Sequence, residues 1–173
     1  MPLVHLIEGP IGAGKSTYAA ALSERISAPS LCLDEWIACL FLPDRPTSAS
    51  VDWYLTRKER CENQIWRTAV TILKAGSDVI LELGLLTREN RQAFSKRASD
   101  AGFVVQIHVL DAPLAIRRER VRQRNLARGN TWHLDITDEM FERSNGWWEP
   151  LAGEEYASGL VIDIATVPPS DSR

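Results

Sequence analysis

The stretch GPIGAGKS, residues 9–16, restricts the fold of this chain more than any other segment. It fits G-x-x-x-x-G-K-[ST] and lies between the short apolar run LVHLIE and the helical pattern YAAALSERI. Glycines in such a loop let successive backbone N–H groups curl around phosphate oxygens, and the helix that follows adds its partial positive charge. The pattern predicts that Gly9, Pro10, Ile11, Gly12, Ala13, Gly14, Lys15, Ser16 and Thr17 cradle the phosphates of a nucleoside triphosphate. Lys15 would reach the β- and γ-phosphates, and the Ser16 hydroxyl would hold Mg²⁺.

A loop of this kind needs a buried strand before it and a helix after it, and the rest of the chain continues the alternation. A second short strand, SLCLD at 30–34, leads into a helical turn around EWIACLF, and PDRPTSAS reads as a loop. A long helix covers 51–75, with Asp52 as its cap and Gly76 as its stop. DVILEL is a third strand, and Thr87 and Gly102 punctuate a helix between them. VVQIHVLD is the fourth strand. The arginine-rich helix takes Pro113 into its first turn and ends at Gly129. Thr137 opens another helix, and LVIDIAT is the last strand. Short buried strands alternating with helices predict a parallel sheet covered on both faces.

At 173 residues, 45% hydrophobic and 25% charged, the chain suits one ordinary domain, expected over 1–166 with a loose tail at 167–173. The net charge of −3 gives no general attraction to nucleic acid. Cys32, Cys39 and Cys61 show no metal-ligand spacing and read as reduced thiols of a cytoplasmic protein. No apolar stretch approaches a membrane span. His5 and His108 lie inside strands and read as core histidines, while His133 has no evident partner.

Three further segments bear on what receives the phosphate. Asp34 is expected at the C-terminal end of the second strand, the edge where open α/β sheets gather ligands. There it would take the proton of an attacking hydroxyl or approach Mg²⁺; a helix cap is the plainer alternative. Glu35 should point elsewhere, and Trp36 is the aromatic expected to line an acceptor pocket beside Asp34. Glu82 ends the third strand, where it either reaches Mg²⁺ through water or caps. Arg88 either binds an anion of the acceptor or simply begins the helix capped by Thr87. In the arginine-rich helix, Arg120, Arg124 and Arg128 recur at i, i+4 and i+8 and form one stripe, expected to neutralise a phosphoryl group in transit. Arg117, Arg118 and Arg122 fall off it and are given no role. Trp66 reads as core, and for Trp53, Trp132, Trp147 and Trp148 core and pocket both stand.

The phosphate loop, Asp34, the segment around Arg88 and RVRQRNLAR occur in the order found in small P-loop kinases. From about Leu3 to Ile164 the chain resembles the zeta-toxin-like "AAA domain" ATP-binding proteins, a group related to chloramphenicol phosphotransferase, shikimate and gluconate kinases and polynucleotide kinases. The resemblance implies a three-layer α/β fold with a five-stranded parallel sheet of order 2-3-1-4-5. It also implies ATP with Mg²⁺, an acceptor-activating aspartate at Asp34, and a mobile lid over about 113–135 carrying Arg120 and Arg124, with Arg128 beyond them. EWIACLF lacks the arginine with which polynucleotide kinases grip an acceptor's phosphate, and ELGLLTR replaces the stretch typical of adenylate kinases. A small, more apolar hydroxyl-bearing acceptor therefore fits, phosphorylated by a monomer or small homo-oligomer. The alternatives are a nucleotide or polynucleotide 5′-hydroxyl kinase, a nucleotide-sugar kinase of the zeta-toxin kind, and a non-kinase ATPase or nucleotide switch.

Overall fold

In the computed structural model, which describes residues 1–129, 132, 135–157 and 160–166, five parallel strands form one sheet. Their order is β2 (Ser30–Cys32), β3 (Val79–Glu82), β1 (Leu3–Glu8), β4 (Val104–Asp111) and β5 (Val161–Ala165). The expected order 2-3-1-4-5 is observed. β1 lies at the centre, with Val4–Leu6 in register with Val79–Leu81 and Leu3–Glu8 in register with Val104–Val109. The expected tail at 167–173 and His133 lie outside the described residues.

Helices α1 (Lys15–Ile26), α2 (Leu33–Leu40), α3 (Val51–Lys74), α4 (Arg88–Asp100), α5 (Leu114–Ala127), α6 (Asp138–Trp147) and α7 (Gly153–Tyr156) surround the sheet. The period-two alternation of the strands divides the core. Val4, Leu6, Val79 and Leu81 meet α3 and α4, whereas Ile7, Ile80 and Leu110 meet α1. Trp66 of α3 stands edge-on to Phe94 of α4 with ring centroids 5.5 Å apart, the core position expected for it. Each fully buried aliphatic side chain in these layers stabilises the fold by about 1.5–3 kcal/mol.

Caps fix the helix starts. The Thr87 and Thr137 hydroxyls accept from the amides of Asn90 and Met140, as their sequence positions predict. On α3 the cap is Ser50, which accepts from Trp53 N–H, and not Asp52, which lies two residues further in and serves the helix dipole instead. α5 ends one residue earlier than expected. Arg128, with φ of 46°, takes the left-handed conformation at its end. Pro113 precedes α5 as its N-cap, and the short α7 has no counterpart among the expected elements.

The two core histidines form a buried chain. Tyr18 Oη lies 2.9 Å from His108 Nδ1, His108 Nε2 lies 3.0 Å from His5 Nδ1, and His5 Nε2 lies 3.3 Å from Asp78 Oδ2. With both rings neutral, one direction satisfies every contact: Tyr18 donates to His108, His108 to His5, and His5 to Asp78. Burial, with His5 and Arg25 nearby, pushes the pKa of His108 down to about 4, which keeps that ring neutral.

Candidate functional site

The phosphate loop connects the buried end of β1 to the first turn of α1, at the C-terminal edge of the sheet. Two glycines are required there by close approach. A Cβ on Gly9 would stand 2.2 Å from the Leu110 carbonyl oxygen, and one on Gly12 would stand 2.4 Å from that of Arg117. The loop is folded onto its own lysine. Lys15 Nζ donates to the carbonyls of Gly9 at 2.9 Å and Pro10 at 3.2 Å. A bound phosphate would draw the ammonium off these two acceptors.

Ser16 Oγ donates to Glu82 Oε1 at 3.1 Å, so the end of β3 comes to the first turn of α1. A hydroxyl and a carboxylate brought together at this edge form an oxygen-rich pair suited to a hard divalent cation such as Mg²⁺. Among the described residues no group of three or more His, Cys, Asp or Glu side chains forms a metal cage. Cys32 pairs with Glu82 across the strands; burial first, and the Glu82 charge second, raise its pKa to about 12.

Glu8, the last residue of β1, is fully buried. Its carboxylate oxygens make no well-formed hydrogen bond among the described residues. Burial raises its pKa to about 8, against the pull of Lys15, Arg91 and the Leu85 amide and with a small push from Glu82. The folded protein therefore holds a proton that the unfolded chain releases near pH 4.5, and stability falls as pH rises from about 5 to 8. In nucleotide-free protein, Glu8→Gln should flatten the decline of Tm over that window. An unchanged slope would mean that Glu8 is ionised in the native state.

Asp34 does not end a strand. β2 stops at Cys32, and Asp34 occupies the exposed first turn of α2. Side chains two apart on a helix diverge. Trp36 accordingly leaves Asp34 and packs, half-buried, against the core beneath α2. Among the described residues, Tyr54 of α3 feels the charge of Asp34. Burial first, and the charge of Asp34 next, push the Tyr54 pKa up to about 12. One turn further along α3, the Arg57 guanidinium lies 4.0 Å from the Trp53 ring centroid and 5.7 Å from that of Phe41. It donates to the Trp53 carbonyl, and among the described residues it has no acidic side chain within ion-pair distance. Tyr54 and Arg57 follow Asp34 by 20 residues or more, and no local pattern connects them to it.

The arginines of α5 separate by contact. Arg117, to which the sequence assigns nothing, is 8% exposed and the most tightly held. It donates to the carbonyls of Ala112 and Ile11 and to Asn145 Oδ1 of α6. Arg118 pairs with Glu142 and lies over Phe141, fastening α5 to α6. Arg120 reaches the loop at the Ala13 carbonyl and binds Thr166 beyond β5. Arg124 is half-buried, and its Nε has no partner among the described residues. Arg128 is off the stripe because the helix has ended; it pairs with Asp135 at 2.8 Å and stacks on Trp132. Arg88 is also engaged elsewhere. Its amide donates to Glu149 and its guanidinium pairs with Glu154, while neighbouring Arg91 is buried against Glu155 and Trp148.

A model of the AAA domain family matches residues 4–151. Solved structures share the fold at low identity. A protein from Chloroflexus aurantiacus J-10-fl assigned as a kinase is 18% identical, with a TM-score of 0.72 over 99% of this chain and 92% of that one. Chaetomium thermophilum Kti12 in complex with ADP-AlF3 is 16% identical, with a TM-score of 0.67 over 98% and 91%. A gluconokinase from Sinorhizobium meliloti 1021 is 17% identical, with a TM-score of 0.57 over 97% and 85%. No curated protein matches the chain.

Proposed function

The chain belongs to the AAA domain family, and from that membership we propose that it is an ATP- and Mg²⁺-dependent phosphotransferase acting on a hydroxyl of a small molecule. The observation that carries this reading is the joining of Lys15, Ser16 and Glu82 at one sheet edge, with exposed Asp34 on the next element along that edge. A gluconokinase and an ADP-AlF3 complex among the structural neighbours are consistent with it.

In this mechanism the loop 9–17 binds ATP and Lys15 leaves its own carbonyls for the β- and γ-phosphates. Ser16 and Glu82 would hold Mg²⁺, which supplies charge neutralisation on the phosphates. Asp34 orients the acceptor hydroxyl and takes its proton. Arg120 and Arg124 neutralise charge on the phosphoryl group, while Arg128 and Arg88 stay with their carboxylates. The first half of α5 is fastened to the body through Arg117, Arg118 and buried Val121, so lid closure belongs to the segment after Val121. Positioning and electrostatics supply most of the acceleration in such transfers. The half-buried, acid-free guanidinium of Arg57 on an aromatic platform favours an acceptor that carries an anionic group over an apolar one.

The test is ADP release with Mg²⁺-ATP against neutral and anionic hydroxyl metabolites and a 5′-hydroxyl oligonucleotide, wild type beside Asp34→Asn. One small compound should stimulate turnover and gain a phosphate. Asp34→Asn should lower kcat on it by roughly 10²-fold with little change in the KM for ATP. Turnover that is slow, indifferent to every compound and unchanged in Asp34→Asn would instead identify an ATPase or switch.

A further inference from the structure

Two guanidinium groups of α5 reach carbonyls of the phosphate loop, and both are built in the same way. Arg117 Nη1 donates to the Ile11 carbonyl at 3.2 Å and to Asn145 Oδ1 at 2.9 Å. Arg120 Nη1 donates to the Ala13 carbonyl at 3.4 Å and to Thr166 Oγ1 at 3.2 Å. Each Nη1 thus spends one hydrogen on the loop and the other on a post outside it, Asn145 on α6 or Thr166 after β5. One further nitrogen anchors each group. Arg117 Nε bonds the Ala112 carbonyl at 2.9 Å, with Asp111 Oδ1 at 3.8 Å, and Arg120 Nη2 bonds the Thr166 carbonyl at 2.5 Å. One post is itself tied to the sheet, since Thr166 Oγ1 donates to the Asp111 carbonyl at 2.8 Å.

The geometry of the peptide unit gives these contacts a meaning. In a trans peptide the carbonyl of one residue and the N–H of the next point in opposite directions, and every peptide here is trans. Drawing the Ile11 and Ala13 carbonyls toward α5 therefore turns the N–H groups of Gly12 and Gly14 away from it. Successive N–H groups aimed to one side make an anion-binding concavity. Gly12 also lies close to the Arg117 carbonyl, whose oxygen would stand 2.4 Å from a Cβ placed there.

We propose that Arg117 and Arg120 are positioning residues that hold the amides of Gly12 and Gly14 aimed at the nucleotide's phosphates before the nucleotide arrives. The proposal rests on reading the loop as a phosphate site. It assigns a task to Arg117 and gives Arg120 one in the unliganded protein. Preorganised donors bind an anion without first spending free energy on turning peptide planes, so the effect falls on affinity for the phosphate chain.

The experiment compares wild type, Arg117→Met, Arg117→Lys and Asn145→Ala in the full chain. Affinities for ADP and for inorganic tripolyphosphate are measured by calorimetry, beside Tm and the ¹H–¹⁵N shifts of Gly12 and Gly14. Arg117→Met should weaken ADP and tripolyphosphate by the same factor, roughly tenfold, the contribution of one charged hydrogen bond. It should also move the Gly12 resonance, with Arg117→Lys recovering part of both changes. If Arg117→Met lowers Tm but leaves both affinities within about twofold and Gly12 unmoved, Arg117 is only a strut between α5 and α6, and the proposal fails. If Arg117→Met does not fold, Asn145→Ala decides. It frees one of the two Nη1 hydrogens, so the same changes at smaller amplitude support the proposal, and none overturns it. A wild-type protein that binds neither ADP nor tripolyphosphate would overturn the phosphate reading itself, before any variant is compared.

Discussion

Lys15→Met should lower kcat/KM for ATP by about 10³-fold while leaving the fold intact. The side chain is half-buried and, among the described residues, donates to the Gly9 and Pro10 carbonyls of its own loop, so the substitution takes away two hydrogen bonds and keeps an apolar stem of similar length. Those bonds contribute about 1 kcal/mol each at most, a change of a few degrees in Tm. Transfer loses far more, because the one mobile cation at the head of α1 would be missing when charge moves between phosphate oxygens. Single-turnover ADP formation, with circular dichroism on the same samples, checks both halves. A variant within about tenfold of wild type would show that the α5 arginines supply the charge without Lys15.

Gly12→Ala should damage the loop severely. The residue sits at φ of 78°, and the new Cβ would stand 2.4 Å from the Arg117 carbonyl oxygen. The left-handed conformation alone costs alanine about 1–2 kcal/mol. The clash is backbone against carbon and no side-chain rotation relieves it, so α5 must move off the loop or the loop must open. Nucleotide affinity should fall by at least about 10²-fold, and Tm should drop by more than the conformational cost explains. Gly76→Ala is the control. Its φ is 93°, and a Cβ there meets nothing within 4 Å. It should lose only the conformational term and bind nucleotide normally. Equal effects of the two substitutions on nucleotide affinity would contradict the close-packing account of Gly12.

Features set by local chemistry were legible in the sequence. The phosphate loop has its own glycine spacing, Thr87 and Thr137 announce their helices by capping, and the apolar runs of β1 and β4 mark buried strands. Errors arose where a boundary or a distant contact decides. LCLDEW carries strand and helix propensity together. The chain leaves the sheet after Cys32, which moves Asp34 into a helical turn and sends Trp36 inward. The stripe of Arg120, Arg124 and Arg128 presumed a helix longer than α5. The value of Arg117 depends on Ile11 and Asn145, 106 and 28 residues away, and the setting of Arg57 on Phe41, from the end of α2. Side-chain periodicity carries no record of either. Arg88 and Arg91 look alike in sequence, yet the segment 149–155 engages both with carboxylates, and burial distinguishes only Arg91.

The central place of β1 also bears on the order in which the chain can assemble. Its hydrogen-bonding partners are residues 79–81 on one side and 104–109 on the other, so the first strand to be synthesised is among the last to be enclosed. Pairings at such separation incur loop-closure entropy before any contact offsets it, and parallel sheets fold slowly for that reason. The phosphate loop inherits the delay, since the carbonyls that shape it wait on Leu110, Arg117 and Arg120. A nascent chain that ends before these residues has the whole glycine motif but not its shape. Nucleotide can reward the completed fold by mass action but cannot template it.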